Sequence, residues 1–317
     1  MRSARWSAAP ARKAFPVGGE TYRGPIIDAH HHLWDLRLER HAWLDWPTQG
    51  DELAPLRRNY LVEDYLKAST RSGIVASVHV EANWDPTDPL GETEWLDSLE
   101  RPAGIAARYV AYAALASDNA QEIIERQAAH ERVAGIREII SWHPDPAKAR
   151  VERGDLMEDA RWRAGLAHLQ SHGLSFDLLI SSRQLDMALR LARDFPDMQF
   201  VLNHCGSPMD RDAEGMDQWR ASLRRLAAAG NVSLKISDPV AYDPAWTRES
   251  LAGVILHCID CFGAGRCMFA SDYPVAGLHI TFDHWLALFS DIIADLSEDE
   301  KRSLFFDNAR KIYRIPV

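Results

Sequence analysis

The sequence predicts a single-domain α/β fold, a (β/α)8 barrel of the TIM type, preceded by an N-terminal extension. Three observations lead there. Eight short β-rich runs recur along the chain, segments with helical spacing lie between them, and no composition shift, linker or fixed repeat divides the chain in two. Strand and helix in alternation imply right-handed crossovers and a parallel sheet. Eight such units between residues 26 and 308 match the size of a closed eight-stranded barrel. The rival fold is an open doubly wound sheet, but no glycine-rich phosphate turn follows the first strand. The expected division is residues 1–24 as extension and 25–317 as barrel.

The β-rich runs read, in order, "PIIDAHHH", "VASVHVEAN", "RYVAYAAL", "VAGIREII", "LSFDLLI", "FVLNHCG", "VSLKIS" and "CMFASDYP". Helical spacing of apolar residues marks "LVEDYLKASTRSG", "NAQEIIERQAAHERV", "LMEDARWRAGLAHLQSHG", "SRQLDMALRLARDF", "DQWRASLRRLAAAG" and "TRESLAGVILHCIDCFG". Several of these close on glycine, as helix ends tend to. One insertion-like stretch, "DLRLERHAWLDWPTQGDELAPLRRN", follows the first strand; rich in Trp, Pro and charge, it is expected as a long loop on the catalytic face.

With 317 residues, 46% of them hydrophobic, the chain can bury a large core. A net charge of -10 repels nucleic acid and anionic membranes, so neither is an expected partner. No run approaches the roughly 18 apolar residues a membrane helix needs. The N-terminal "MRSARWSAAPARKAF" has no apolar core for secretion, and the chain reads as cytoplasmic. Cys205, Cys258, Cys261 and Cys267, with His257, could suggest a zinc cluster in "HCIDCFGAGRC". They sit in an apolar helical context without two separated ligand pairs, so reduced cysteines used as small core residues are expected.

In such a barrel the active site forms at the C-terminal ends of the strands, and strand side chains alternate between interior and exterior. On the first strand Asp28, His30 and His32 share one parity, while Ile27, Ala29 and His31 share the other and are expected to face the helices. Two imidazoles two residues apart can ligate one divalent metal or hold a substrate oxygen. Other strand ends contribute Glu81, Arg137, His204, Lys235 and Asp272. Each has a plain structural alternative. His79 and His172 read as hydrogen-bonded structural residues, Arg137 and Lys235 could neutralise carboxylates such as Glu81 or Glu138, and Asp272 could cap a loop ahead of Pro274. Ionisable groups at five or more strand ends, where burial is costly, nevertheless favour a catalytic site.

The stretches "DAHHHLW", "VHVEAN", "GIREII", "FDLLI", "FVLNHCGSP", "VSLKIS", "FASDYPV" and "FFDNARKIYRI" resemble the amidohydrolase-2 family of TIM-barrel hydrolases, and more narrowly its branch of sugar-lactone and muconolactone-type lactonases. The resemblance implies that His30, His32 and Asp272 form the catalytic centre, with His204 in the same pocket. It differs from the branch at Asn203, Ser207, Ala270 and Tyr273. Arg137 stands where the wider superfamily has a metal-bridging lysine. The resemblance therefore implies at most one divalent ion, zinc or manganese, on His30, His32 and Asp272, or a metal-free site.

The expected reaction is lactone hydrolysis by a directly activated water, since no Gly-x-Ser-x-Gly elbow is present and no serine or cysteine has an evident neighbouring base. Asp272 would take the water proton and pass it to the leaving alkoxide. His30 and His32 would place the water or polarise the carbonyl, and Arg137 and His204 would stabilise the oxyanion. Substrate recognition is expected from Glu81, Lys235, His143, Trp34, Trp142 and Tyr273. The partner is a small-molecule substrate, with the chain acting alone or as a homo-oligomer. Two alternatives stand beside this: a metal-dependent decarboxylase acting on an aromatic or enoic acid, and a non-catalytic ligand-binding barrel.

Overall fold

The computed structural model describes residues 22–45 and 52–317. Most of the expected N-terminal extension, residues 1–21, and residues 46–51 of the insertion lie outside that range. Eight strands form one parallel sheet in sequential order: β1 (Ile26–His31), β2 (Ile74–Val80), β3 (Arg108–Tyr112), β4 (Val133–Ile139), β5 (Ser175–Leu179), β6 (Phe200–Leu202), β7 (Val232–Ile236) and β8 (Cys267–Phe269). The sheet closes on itself just beyond β8. Asp272 N–H donates to His30 O at 2.8 Å and His32 N–H to Tyr273 O at 2.7 Å, so the seam of the barrel runs through residues expected in the site.

Helices α1 (Val62–Ser69), α2 (Gly91–Ser98), α3 (Ala120–Ala128), α4 (Ala160–Ser171), α5 (Leu185–Asp194), α6 (Ala213–Leu226), α7 (Arg248–Phe262) and α8 (Phe282–Ile292) follow the strands in turn. Their starts are set by side chains that accept from otherwise unpaired N–H groups: Asp159 from Arg161, Asp212 from Gly215, Thr247 from Ser250 and Thr281 from His284. Apolar residues of α1 to α8 pack against the outward residues of the strands, such as Phe176, Leu178, Phe200, Leu202, Leu234 and Phe269. Gly165 lets α4 sit directly on the chain after β3, since a Cβ there would lie 2.3 Å from Leu115 O. Helix α2 and the helices after β8 were not among the helical segments picked out of the sequence.

A second cluster fills the barrel interior. It joins Ile27, Ala29, Val78, Val80, Val110, Ala134, Val201, Met268 and Ala270 to Phe306, Tyr313 and Ile315 of the C-terminal segment, which runs through α9 (Glu298–Arg302) and α10 (Asn308–Ile312). Each buried apolar side chain contributes roughly 1.5–3 kcal/mol, so this segment is a substantial part of the core.

The alternation expected on β1 is broken. Asp28 pairs with Ser77 and His31 with His79, so three steps along β1 match two along β2: one extra residue is accommodated there as a bulge. Ile27 and Ala29 therefore join the interior cluster, and Asp28 meets Tyr65 of α1 and Ser271, which corrects the parity expected for all three. His31 does face outward, against Tyr65, with Ser77 Oγ 3.0 Å from its Nε2.

The insertion folds back on the mouth. Trp34 and Tyr60 exchange two backbone hydrogen bonds of 2.9 Å, and Trp34, Leu44, Leu56, Tyr60 and Ala82 form a separate apolar cluster.

Candidate active site

Beyond the bulge, His30 and His32 turn to the same point. His30 Nε2 lies 3.2 Å from His32 Nε2, and both lie 3.2 Å from Asp272 Oδ1, with all three side chains buried. His32 Nδ1 lies 2.7 Å from Val80 O, which can only accept, so Nδ1 holds the proton and Nε2 keeps its lone pair for the centre. Asp272 is placed by the seam and has a φ of 52°, a left-handed conformation costly for a residue with a Cβ.

Cations and further imidazoles surround this triangle. Arg137 reaches over from β4, with Nη1 3.4 Å from His30 Nε2, and is held by Glu81 through Nε to Oε1 (2.6 Å) and Nη2 to the Glu81 carbonyl (2.6 Å). Lys235 Nζ lies 3.5 Å from His30 Nδ1 and donates to Asp177 Oδ2 at 2.7 Å; neither Lys235 nor Asp177 has any exposed surface. Asp177 also accepts from Asn203 Nδ2 at 2.9 Å and from the Tyr313 hydroxyl at 3.0 Å. The His204 ring lies 4.8 Å from that of His30, and its Nδ1 is 2.9 Å from Ser237 Oγ. The reading that no serine has a neighbouring base is thereby corrected. Ser237 is fully buried, however, and its hydroxyl orients His204 rather than facing a substrate.

Burial and these charges set the proton states. Burial draws the His204 imidazole down to about 4, opposed by Asp272 and reinforced by Arg137 and Lys235. For Asp272 burial pushes up, but the surrounding His204 and His32 imidazoles and the Arg137 guanidinium outweigh it and hold the carboxyl below its usual range. Asp238, at the end of β7, is raised by burial and by the neighbouring Asp272 carboxylate.

His30, His32 and Asp272 are the only group of three or more such side chains among the described residues that could hold a metal ion, their ligand atoms all lying within 4.8 Å of one another. Two imidazole nitrogens and one carboxylate oxygen suit zinc or a similar divalent ion, and mutual separations of 3.2 Å are what ligands about 2.0–2.2 Å from one ion require. The residues fit a single ion. The cysteines form no such group: all four are free, and Cys205, Cys258 and Cys267 are buried.

The other expected recognition residues are placed differently from one another. Trp34 is fully buried in the cluster of the insertion, with Nε1 donating to Arg58 O, and presents no face to a ligand. His143 is 3.1 Å from Asp210, which also pairs with Lys148 and Arg183, so it ties loops together. Trp142 is half-buried, with its N–H donating to Gln184. Tyr273 packs edge-on to Tyr60 and Tyr65 and donates to Asp64 O. Lys235, paired with Asp177, underlies His30 rather than facing a substrate. His79 is structural, bonded to Glu92 at 3.0 Å. The sequence reading missed Asp177, Ser237 and Asp238. Asp238 could have been found by the signal that marked Asp272, an acid following a serine at a strand end.

Fold and site together define a barrel hydrolase with a His-x-His and aspartate centre suited to activating water. The chain belongs to the amidohydrolase family, whose model matches residues 27–315. It is 34% identical to the protein y4mH of Sinorhizobium fredii over 92% of this chain and 98% of that one. It is 29% identical to the L-fucono-1,5-lactonase of Burkholderia multivorans, covering 92% and 96% of the two chains. Among solved structures, an amidohydrolase from Burkholderia multivorans with bound zinc superposes with a TM-score of 0.77 at 25% identity, over 92% of this chain and all of that one. No helix among the described residues is long and apolar enough to cross a membrane.

Proposed function

We propose that the protein opens a sugar-derived lactone by direct attack of water. The observation that carries this is the meeting of His30, His32 and Asp272 at 3.2 Å with Arg137 beside them. The substrate class is supported by the likeness to L-fucono-1,5-lactonases over nearly the whole chain.

Asp272, ionised at neutral pH, accepts a proton from the water as its oxygen bonds to the lactone carbonyl carbon. The carbonyl oxygen gains negative charge, which Arg137 is placed to stabilise; one such donor is commonly worth about 3–4 kcal/mol. When the tetrahedral centre collapses, the bond to the ring oxygen breaks and Asp272 returns the proton to that oxygen, giving a hydroxy acid. His32, fixed by Val80 O, and His30, flanked by Lys235, hold the water on the carbonyl side. A divalent ion on His30, His32 and Asp272 would acidify that water and polarise the carbonyl.

The test is acid release from a panel of aldono-lactones, followed with a pH indicator before and after chelation. Asp272→Asn is expected to lower kcat by about 100- to 10,000-fold, the usual worth of a placed base, and to leave unfolding by urea nearly unchanged. A wild type that opens no lactone, or an Asp272→Asn variant as fast as wild type, would sink the proposal.

A further inference from the structure

The register of β1 against β2 slips between Asp28 and His31, so pairing with β2 does not by itself fix where His30 points. A buried carboxylate occupies that stretch. Asp28 Oδ1 accepts from the His30 N–H at 3.3 Å and from the Ser271 N–H at 2.8 Å, and its Oδ2 accepts from the Ser271 hydroxyl at 2.6 Å and from the Tyr65 hydroxyl at 2.8 Å. The Ser271 hydroxyl also accepts from the Tyr273 N–H at 3.0 Å. Three of the four bonds to Asp28 thus go to the two stretches that carry the centre: His30 itself, and Ser271 directly before Asp272. The backbone joins the same stretches through the Asp272 N–H and His30 O, and Asp28 adds a side-chain clamp across that seam. With no exposed surface of its own, Asp28 can meet no substrate and acts only through the residues it holds.

We propose that Asp28 is a positioning residue whose carboxylate sets the His30 imidazole against the Asp272 carboxylate, so that the centre is arranged before an ion or a substrate arrives. The inference takes His30, His32 and Asp272 as the centre, as the proposed function does, but it does not depend on the lactone. Groups that orient ligands in this way commonly account for about 10- to 100-fold in ion affinity or in rate. Tyr65 supplies the contrast, because its hydroxyl reaches the same carboxylate from α1 and carries no part of the centre.

The experiment measures three quantities for wild type, Asp28→Ala, Asp28→Asn, Ser271→Ala and Tyr65→Phe: zinc affinity of the ion-free protein by competition with a chromophoric chelator, kcat and KM on an aldono-lactone, and urea unfolding. Asp28→Ala and Ser271→Ala should each lower zinc affinity and kcat by about 10- to 100-fold, with KM nearly unchanged. Asp28→Asn keeps an oxygen for the two N–H groups and an amide that the rotating hydroxyls can accept from, so it should retain most of both. Tyr65→Phe should lower stability and leave zinc affinity and kcat as in wild type. Should Asp28→Ala fail to fold, Ser271→Ala against Tyr65→Phe decides. The inference is overturned if the folded alanine variants bind zinc and turn over as wild type does, if Tyr65→Phe loses as much affinity and kcat as Ser271→Ala, or if Asp28→Asn fares as badly as alanine. A wild type that binds zinc but opens no lactone overturns the proposed function alone, and the zinc readout still decides this inference. One that does neither overturns the centre, and this inference with it.

Discussion

Replacing Lys235 by methionine removes one half of a fully buried ion pair while nearly preserving its volume. Lys235 Nζ and Asp177 Oδ2 are 2.7 Å apart with no exposed surface on either side chain. At an effective dielectric of about 20 their attraction is about 6 kcal/mol, much of it offset by the cost of bringing both charges out of water. Deleting one partner forfeits the attraction and strands the other charge, which commonly costs about 3–5 kcal/mol. In Lys235→Met the Asp177 carboxylate would be left with Asn203 and the Tyr313 hydroxyl, both neutral donors. Urea unfolding should therefore show a loss of about 3–5 kcal/mol. Adding Asp177→Asn should recover at least about 2 kcal/mol, because no stranded charge remains and the two changes are coupled. If the double variant instead loses the sum of the two single losses, the pair is not coupled, and the electrostatic account of the barrel interior is wrong.

Two further outcomes are expected. His79 and His204 are kept neutral by burial, His204 at about 4. Below about pH 6.5 the unfolded chain takes up protons at these positions while the folded chain does not, so stability falls as pH drops, by up to about 1.4 kcal/mol per pH unit for each group. Urea midpoints between pH 7.5 and 5 should show that decline, and His79→Gln should flatten it; an unchanged slope would remove His79 from the account. The four thiols are free, with only Cys261 partly exposed. A thiol reagent should find one reactive cysteine per folded chain and four after unfolding, and a lower count in the unfolded protein would mean that a disulfide had formed.

Much of this was legible in the sequence because strand spacing and polar strand ends are local signals. All eight predicted runs became strands, and His30, His32, Asp272, Arg137 and His204 came together. The orientation of Asp28 was not legible, since a bulge depends on the register with β2, which no window on β1 contains. The partners of the cations were half visible. Glu81 was a foreseeable mate for Arg137, but Asp177 lay inside the apolar-looking run "LSFDLLI". Trp34 was taken for a ligand platform because an aromatic after a strand reads the same whether it lines a pocket or packs a lid.

The seam between β1 and the chain beyond β8 has a consequence for biosynthesis. His30 and His32 emerge from the ribosome early, yet the backbone and carboxylate that complete them belong to Asp272 and Tyr273, and the hydroxyl that steadies Asp177 belongs to Tyr313. While the chain is being made, the free edge of β1 is a strand without its neighbour, open to pairing with whatever strand it meets. Cylinder and catalytic pocket are finished by the same late event, so a nascent chain can hold most of its helices and strands and still have no chemistry.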